Sequence, residues 1–123
     1  FHPDFDDVVR RLLAEDESAI VLITYDPKRL LWLRALRRRL DAKLGASLSK
    51  RFVAIETVRG RAFFDLLRAS TLLLDPFPFG GGVTTLEAFA VCRLVVTAPT
   101  LQTVPALAAG MYRHTLELPD QSE

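Results

Sequence analysis

The chain reads as an α/β domain built on a parallel sheet with helices on both faces. Three observations predict this. Short β-branched and apolar runs ("AIVLITY", "RFVAIET", "TLLLDPF", "LVVTA") alternate with stretches whose apolar residues recur at helical spacing. The runs are apolar nearly throughout rather than at every second position, the pattern of strands covered on both faces. Helical segments separate successive strands, as right-handed parallel crossovers require.

Taken in order, residues 5–16 place Phe5, Val8, Val9, Leu12 and Leu13 on a helix with acids at its start. Residues 19–25 form the first buried strand. Residues 26–45 are a long amphipathic helix: Asp26 caps it, Pro27 suits its first turn and Gly45 suits its exit. A second strand follows at 51–57 and a short helix at 60–70. The third strand, 71–77, is ended by Pro76 and Pro78. A helix opens on the threonines at 84–92, a fourth strand occupies 94–98, and a last helix covers 104–113, with Pro105 in its first turn.

With 123 residues, half of them apolar, the chain is expected to be one domain able to bury a core. A formal net charge of +1 gives no reason to expect nucleic acid as a partner. Cys92 is the single cysteine, so there is no internal disulfide framework and no cysteine metal cluster, and a reducing compartment (cytoplasmic or nuclear) is expected. No apolar run reaches the roughly 18 residues of a membrane span, so no membrane partner is expected. The chain opens on Phe1 with neither an initiator methionine nor a signal peptide, which predicts an internal piece of a longer protein or an incomplete gene reading.

The stretch "LDPFPFGGGVTTLEAF", residues 74–89, carries the chemistry. It lies just after the third strand, at the carboxyl edge where open parallel sheets hold ligands. Gly80, Gly81 and Gly82 permit positive φ and hold no Cβ between backbone and ligand. The next helix starts with unpaired N–H groups and the positive end of its dipole. Thr84 and Thr85 add hydroxyls. Together these residues can cradle a phosphate. Glu87 is one turn in, where a carboxylate suits vicinal hydroxyls such as those of a ribose. A plain turn before a threonine-capped helix fits the same spacing equally well. No lysine follows the glycines, which excludes a Walker A loop, and Val83 and Thr85 exclude a dinucleotide G-x-G-x-x-G.

"LDPFPFGGGVTTLEAFAVCRLVVTAP" resembles the nucleotide-sugar motif of the O-linked N-acetylglucosamine transferase and SPINDLY group, "LDxxPxxGGTTTxEALxxGxPVVTxP". The opening "FHPDFDDVVRRLL" is similar to that group's "K-x-HPxFD…IL" segment. The resemblance covers nearly the whole chain and is specific in the glycine–threonine–glutamate segment. It implies one Rossmann-like lobe of a GT-B glycosyltransferase, the carboxyl-terminal, donor-binding one. The implied donor is UDP-N-acetylglucosamine or another UDP-sugar, with no further cofactor and no metal. The implied acceptor is a protein bound through a missing amino-terminal lobe or tetratricopeptide repeats. Carried over by position, Gly81, Gly82 and Thr84 hold the diphosphate, with Thr85 beside them. Glu87 holds the ribose, and "TVRG" at 57–60 borders the uracil. Arg59 and Phe63 complete the candidate set. Neither histidine is implied as a catalytic residue. The sequence departs from the pattern at Val83 (usually threonine), at Cys92-Arg93, which replaces the common Gly-x-Pro before the last strand, and at Phe63, where animal members carry histidine. Gln102 and Val104 stand where an arginine is common, and the group's phosphate-binding lysine would precede Phe1. A GT-B enzyme acting on glycan or lipid, and a non-catalytic α/β module, are the alternatives.

The remaining polar residues have plainer readings. His2 and His114 are too few and too far apart for a metal site. Arg34, Arg37, Arg38 and Arg39 are expected on a solvated helix face, and Arg59 and Arg61 in a charged loop. Trp32 is expected in the core and Cys92 as a buried thiol. Asp75, before Pro76, is expected to accept backbone N–H bonds in its loop.

Overall fold

The computed structural model describes residues 2–78, 80–98 and 103–116, with side chains of the last segment described at 107–114. Its contacts divide the chain into two halves, Pro3–Arg59 and Gly60–Glu123, the latter joined by Phe1–His2. Each half runs helix, strand, helix, strand, with a further helix at the end of the second, and each contains one pair of parallel strands. Among the described residues no helix is long and apolar enough to cross a membrane.

The first half contains α1 (Phe5–Glu15), β1 (Val21–Tyr25), a 3-10 turn (Pro27–Arg29), α2 (Leu30–Ser49) and β2 (Phe52–Glu56). Phe5, Val9 and Leu13 recur every four residues and are buried on α1, as are Leu36, Leu40 and Leu44 on α2, and the two helices pack together. β1 and β2 pair from Val21 opposite Phe52 to Tyr25 opposite Glu56. The Asp26 carboxylate accepts the Lys28 N–H at 2.9 Å and, with Pro27, starts the helical path. Gly45, at φ +73°, interrupts α2. A Cβ there would meet nothing within 4 Å, so the glycine serves its left-handed backbone and not a close contact.

Three arginines fasten this half. Arg39 donates to both oxygens of Asp6, at 2.7 and 3.0 Å, and the Asp6 side chain is only 4% exposed. A buried carboxylate needs such a fork-on-fork partner. Arg37 donates to the Phe52 carbonyl at 2.5 Å and the Ser49 carbonyl at 2.9 Å, and pairs with Asp41 at 2.8 Å. Arg51 donates to the carbonyls of Leu13, Asp16 and Ala19, which closes the carboxyl end of α1. The basic run on α2 is therefore not one solvated face: Arg34 and Arg38 are exposed, while Arg37 and Arg39 turn onto acids and carbonyls.

The second half contains α3 (Arg61–Ala69), β3 (Leu72–Leu74), α4 (Val83–Ala90), β4 (Leu94–Val96) and α5 (Thr103–Leu116). Gly60, at φ +57°, leads into α3. β3 and β4 pair in parallel, Leu72 opposite Leu94 and Leu74 opposite Val96. Leu67, Ala88 and Val95 form the buried centre, with Phe63, Phe64, Leu73, Phe89, Val91 and Tyr112 packed on it. The Tyr112 hydroxyl accepts the Val95 N–H at 2.5 Å and donates to its carbonyl at 2.8 Å, which occupies backbone groups at an edge of β4. Arg93 donates to the Leu67 and Arg68 carbonyls at 3.2 and 2.5 Å, so it closes the end of α3 as Arg51 closes α1. Both arginines immediately precede the second strand of their half.

The anticipated strands are present, and they pair two by two. They are not covered on both faces. In β1, Val21 and Ile23 are buried while Leu22 and Thr24 are exposed, and in β4 only Val95 is buried, between exposed Leu94 and Val96. A two-stranded ladder leaves a face uncovered even when its residues are apolar throughout. Trp32 is 45% exposed rather than in the core. Cys92 is exposed rather than buried, and it sits at φ +56°.

That backbone angle suits glycine and strains cysteine. Cys92→Gly is therefore expected to stabilise the fold by about 1 kcal/mol, read as a higher unfolding midpoint in urea. An unchanged or lower midpoint would contradict the strain. Arg39→Met should cost roughly 2 kcal/mol, because it leaves Asp6 buried without its fork. Arg38→Met, on the exposed face, should stay within about 0.5 kcal/mol.

Candidate anion-binding site

The loop between β3 and α4 is organised by Asp75. Its N–H donates to the Val96 carbonyl at 2.9 Å and so extends the β3–β4 ladder by one bond. The residue is only 6% exposed, and its carboxylate is engaged on both sides. Oδ1 accepts the Gly81 N–H at 2.5 Å, and Oδ2 accepts the Thr97 hydroxyl at 2.8 Å. The anticipated role of Asp75 as an acceptor for its own loop is what the geometry shows.

The three glycines then have three different reasons. None of them lies at positive φ, so left-handed backbone is not their purpose. A Cβ on Gly80 would fall 2.7 and 2.8 Å from the two Asp75 oxygens, which leaves no room for any side chain. A Cβ on Gly81 would come 3.0 Å from the Thr85 hydroxyl. Gly82 has open space and precedes the first turn of α4. At Gly80 the missing Cβ makes room for the protein's own Asp75 carboxylate, where the sequence suggested room for a ligand.

The two threonines also part company. Thr85 is fully buried, and its hydroxyl donates to the Gly81 carbonyl at 3.1 Å. It holds the loop from below and is not placed to meet a ligand. Thr84 is half-buried, with no hydrogen bond from its hydroxyl among the described residues. Glu87 is half-buried and likewise has no ion pair or hydrogen bond among them. At positions i and i+3, these two share a helix face. Val83 is 71% exposed. No side chain caps α4, and the N–H groups of Gly82, Val83 and Thr84 have no acceptor among the described residues. What is available to a ligand is thus a helix amino terminus carrying open N–H donors, with one hydroxyl and one carboxylate nearby.

Phe63 packs on the Leu67–Ala88–Val95 core, with its ring 6.3 Å from that of Phe64. Arg59 is exposed at the end of the first half and makes no ion pair among the described residues. Arg61 pairs loosely with Asp65 at 3.9 Å. Gln102 lies outside the described residues, and the Val104 side chain is not described. Among the described residues no group of three His, Cys, Asp or Glu side chains could hold a metal ion. An open concavity of about 730 Å³ lies between β1 and α2, lined by residues from Thr24 to Trp32. Its walls come from one continuous segment, so no second element converges on it.

Sequence reasoning missed Thr97. The signal was present: a hydroxyl directly after the fourth strand, beside an aspartate directly after the third, on strands expected to pair. No family model, curated protein or solved structure matches this chain.

Thr85→Val should destabilise the fold by about 1 kcal/mol or more, since it strands the Gly81 carbonyl. Thr84→Val should leave the unfolding midpoint nearly unchanged. Equal effects in a denaturant titration would contradict the inward and outward assignments.

Proposed function

We propose that this chain is the donor-binding lobe of a UDP-sugar-dependent glycosyltransferase, Rossmann-like and one half of a GT-B fold. Its reaction would be transfer of N-acetylglucosamine to serine or threonine hydroxyls of proteins. The resemblance of residues 74–99 to the O-linked N-acetylglucosamine transferase group supplies the reaction class. The observation that carries the reading is the amino terminus of α4, where the N–H groups of Gly82, Val83 and Thr84, the Thr84 side chain and Glu87 have no partner among the described residues. The diphosphate would lie on the N–H groups of Gly82, Val83 and Thr84, and the ribose hydroxyls on Glu87. Negative charge grows on the diphosphate as the sugar leaves, and fixed helix-end donors stabilise that charge without reorganising. The acceptor and any general base belong to parts of the enzyme outside this lobe.

One observation favours a second reading, a non-catalytic α/β module. The Gly81 N–H, assigned to the diphosphate by the resemblance, is occupied by Asp75, and Val83 replaces a hydroxyl on the exposed first turn.

Calorimetric titration with UDP separates the two. The donor-lobe reading predicts saturable binding that Glu87→Ala and Thr84→Val each weaken several-fold, with no transferase turnover by the chain alone. Absence of heat up to millimolar UDP supports the module, and turnover above a Glu87→Ala control would contradict the assignment of the remaining chemistry to another lobe.

A further inference from the structure

Building on the nucleotide-binding reading, we propose that Asp75 is the positioning residue of the diphosphate cradle, acting through Gly80 and Gly81 without touching the ligand. Its two oxygens join elements that converge on the cradle. Oδ2 accepts from Thr97, just beyond β4, and Oδ1 accepts from Gly81 in the loop. The Asp75 backbone is itself anchored to β4 by its N–H bond to Val96. The loop is therefore fastened to the end of the strand pair, not only to the helix it precedes.

This fastening determines which donors face outward. The Gly81 N–H points to Asp75, and the Gly81 carbonyl accepts from Thr85. Both backbone groups of Gly81 are thus engaged within the protein. The next three N–H groups, of Gly82, Val83 and Thr84, have no acceptor among the described residues and form the ligand set. Gly80 is the point where the arrangement is tightest, because any Cβ would strike the Asp75 carboxylate. A loop held in this way meets the diphosphate already ordered, so the ligand does not have to order it.

Three substitutions test this through UDP affinity, measured by calorimetry on the whole chain at a temperature where circular dichroism shows each variant folded. Asp75→Asn keeps an oxygen for Gly81 and can donate its amide to the Thr97 hydroxyl, so its affinity should stay within about threefold of the parent. Asp75→Ala removes both ties and should lose about tenfold or more. Gly80→Ala should lose a similar factor in the parent but less than about twofold in the Asp75→Ala background, where the clash has gone. Such non-additivity in ligand affinity is not produced by a general loss of stability. Parent-like affinity in Asp75→Ala, or additive losses in the double variant, would overturn the inference while leaving the nucleotide-binding reading in place. Failure of the parent chain itself to bind UDP would overturn both.

Discussion

The loop that distinguishes this chain depends on one buried carboxylate. Asp75 holds Gly81 with one oxygen and Thr97 with the other, and it presses against Gly80 closely enough to exclude every side chain. An internal carboxylate of this kind is costly unless its lone pairs are satisfied, and here they are satisfied by the groups that must be held still. Once Gly81 is fixed, the start of α4 is fixed, and with it the direction in which its first N–H groups face.

The same economy of polar groups recurs at the helix ends. Arg51 and Arg93 stand just before the second strand of their halves; Arg51 gathers the Leu13 carbonyl of α1 and two carbonyls just beyond it, and Arg93 gathers the Leu67 and Arg68 carbonyls of α3. Guanidinium suits this because several N–H groups in one plane can serve several carbonyls, and the positive charge favours the negative end of the helix dipole. Arg39 serves Asp6 in a comparable way. Charged residues that look interchangeable in sequence thus divide into those that fasten helices and those that only face water.

Much of the order of elements was legible because local chemistry sets it. Asp26 and Pro27 start a helical path and Gly45 interrupts one, each for reasons carried by the residue itself. Asp75 was legible as a turn acceptor, but the purpose of the glycines beside it was not. The group that requires Gly80 lies five positions earlier and returns to it only through the folded loop. Cys92 likewise gave no sign of its positive φ, although the motif it resembles has glycine there. The covering of the strands was misread for a different reason: an apolar run states what a strand can bury, while the number of neighbouring elements decides what it does bury.

We propose that the amino terminus of α4 receives a diphosphate through Gly82, Val83 and Thr84 while Gly81 stays bound to Asp75. Amide resonances of the isotopically labelled chain, followed by nuclear magnetic resonance during titration with UDP, report on each of these N–H groups separately. Large, saturable shifts are expected at Gly82, Val83 and Thr84, with a much smaller one at Gly81. Shifts centred on Gly81, or none along residues 80–87 at saturating UDP, would contradict it.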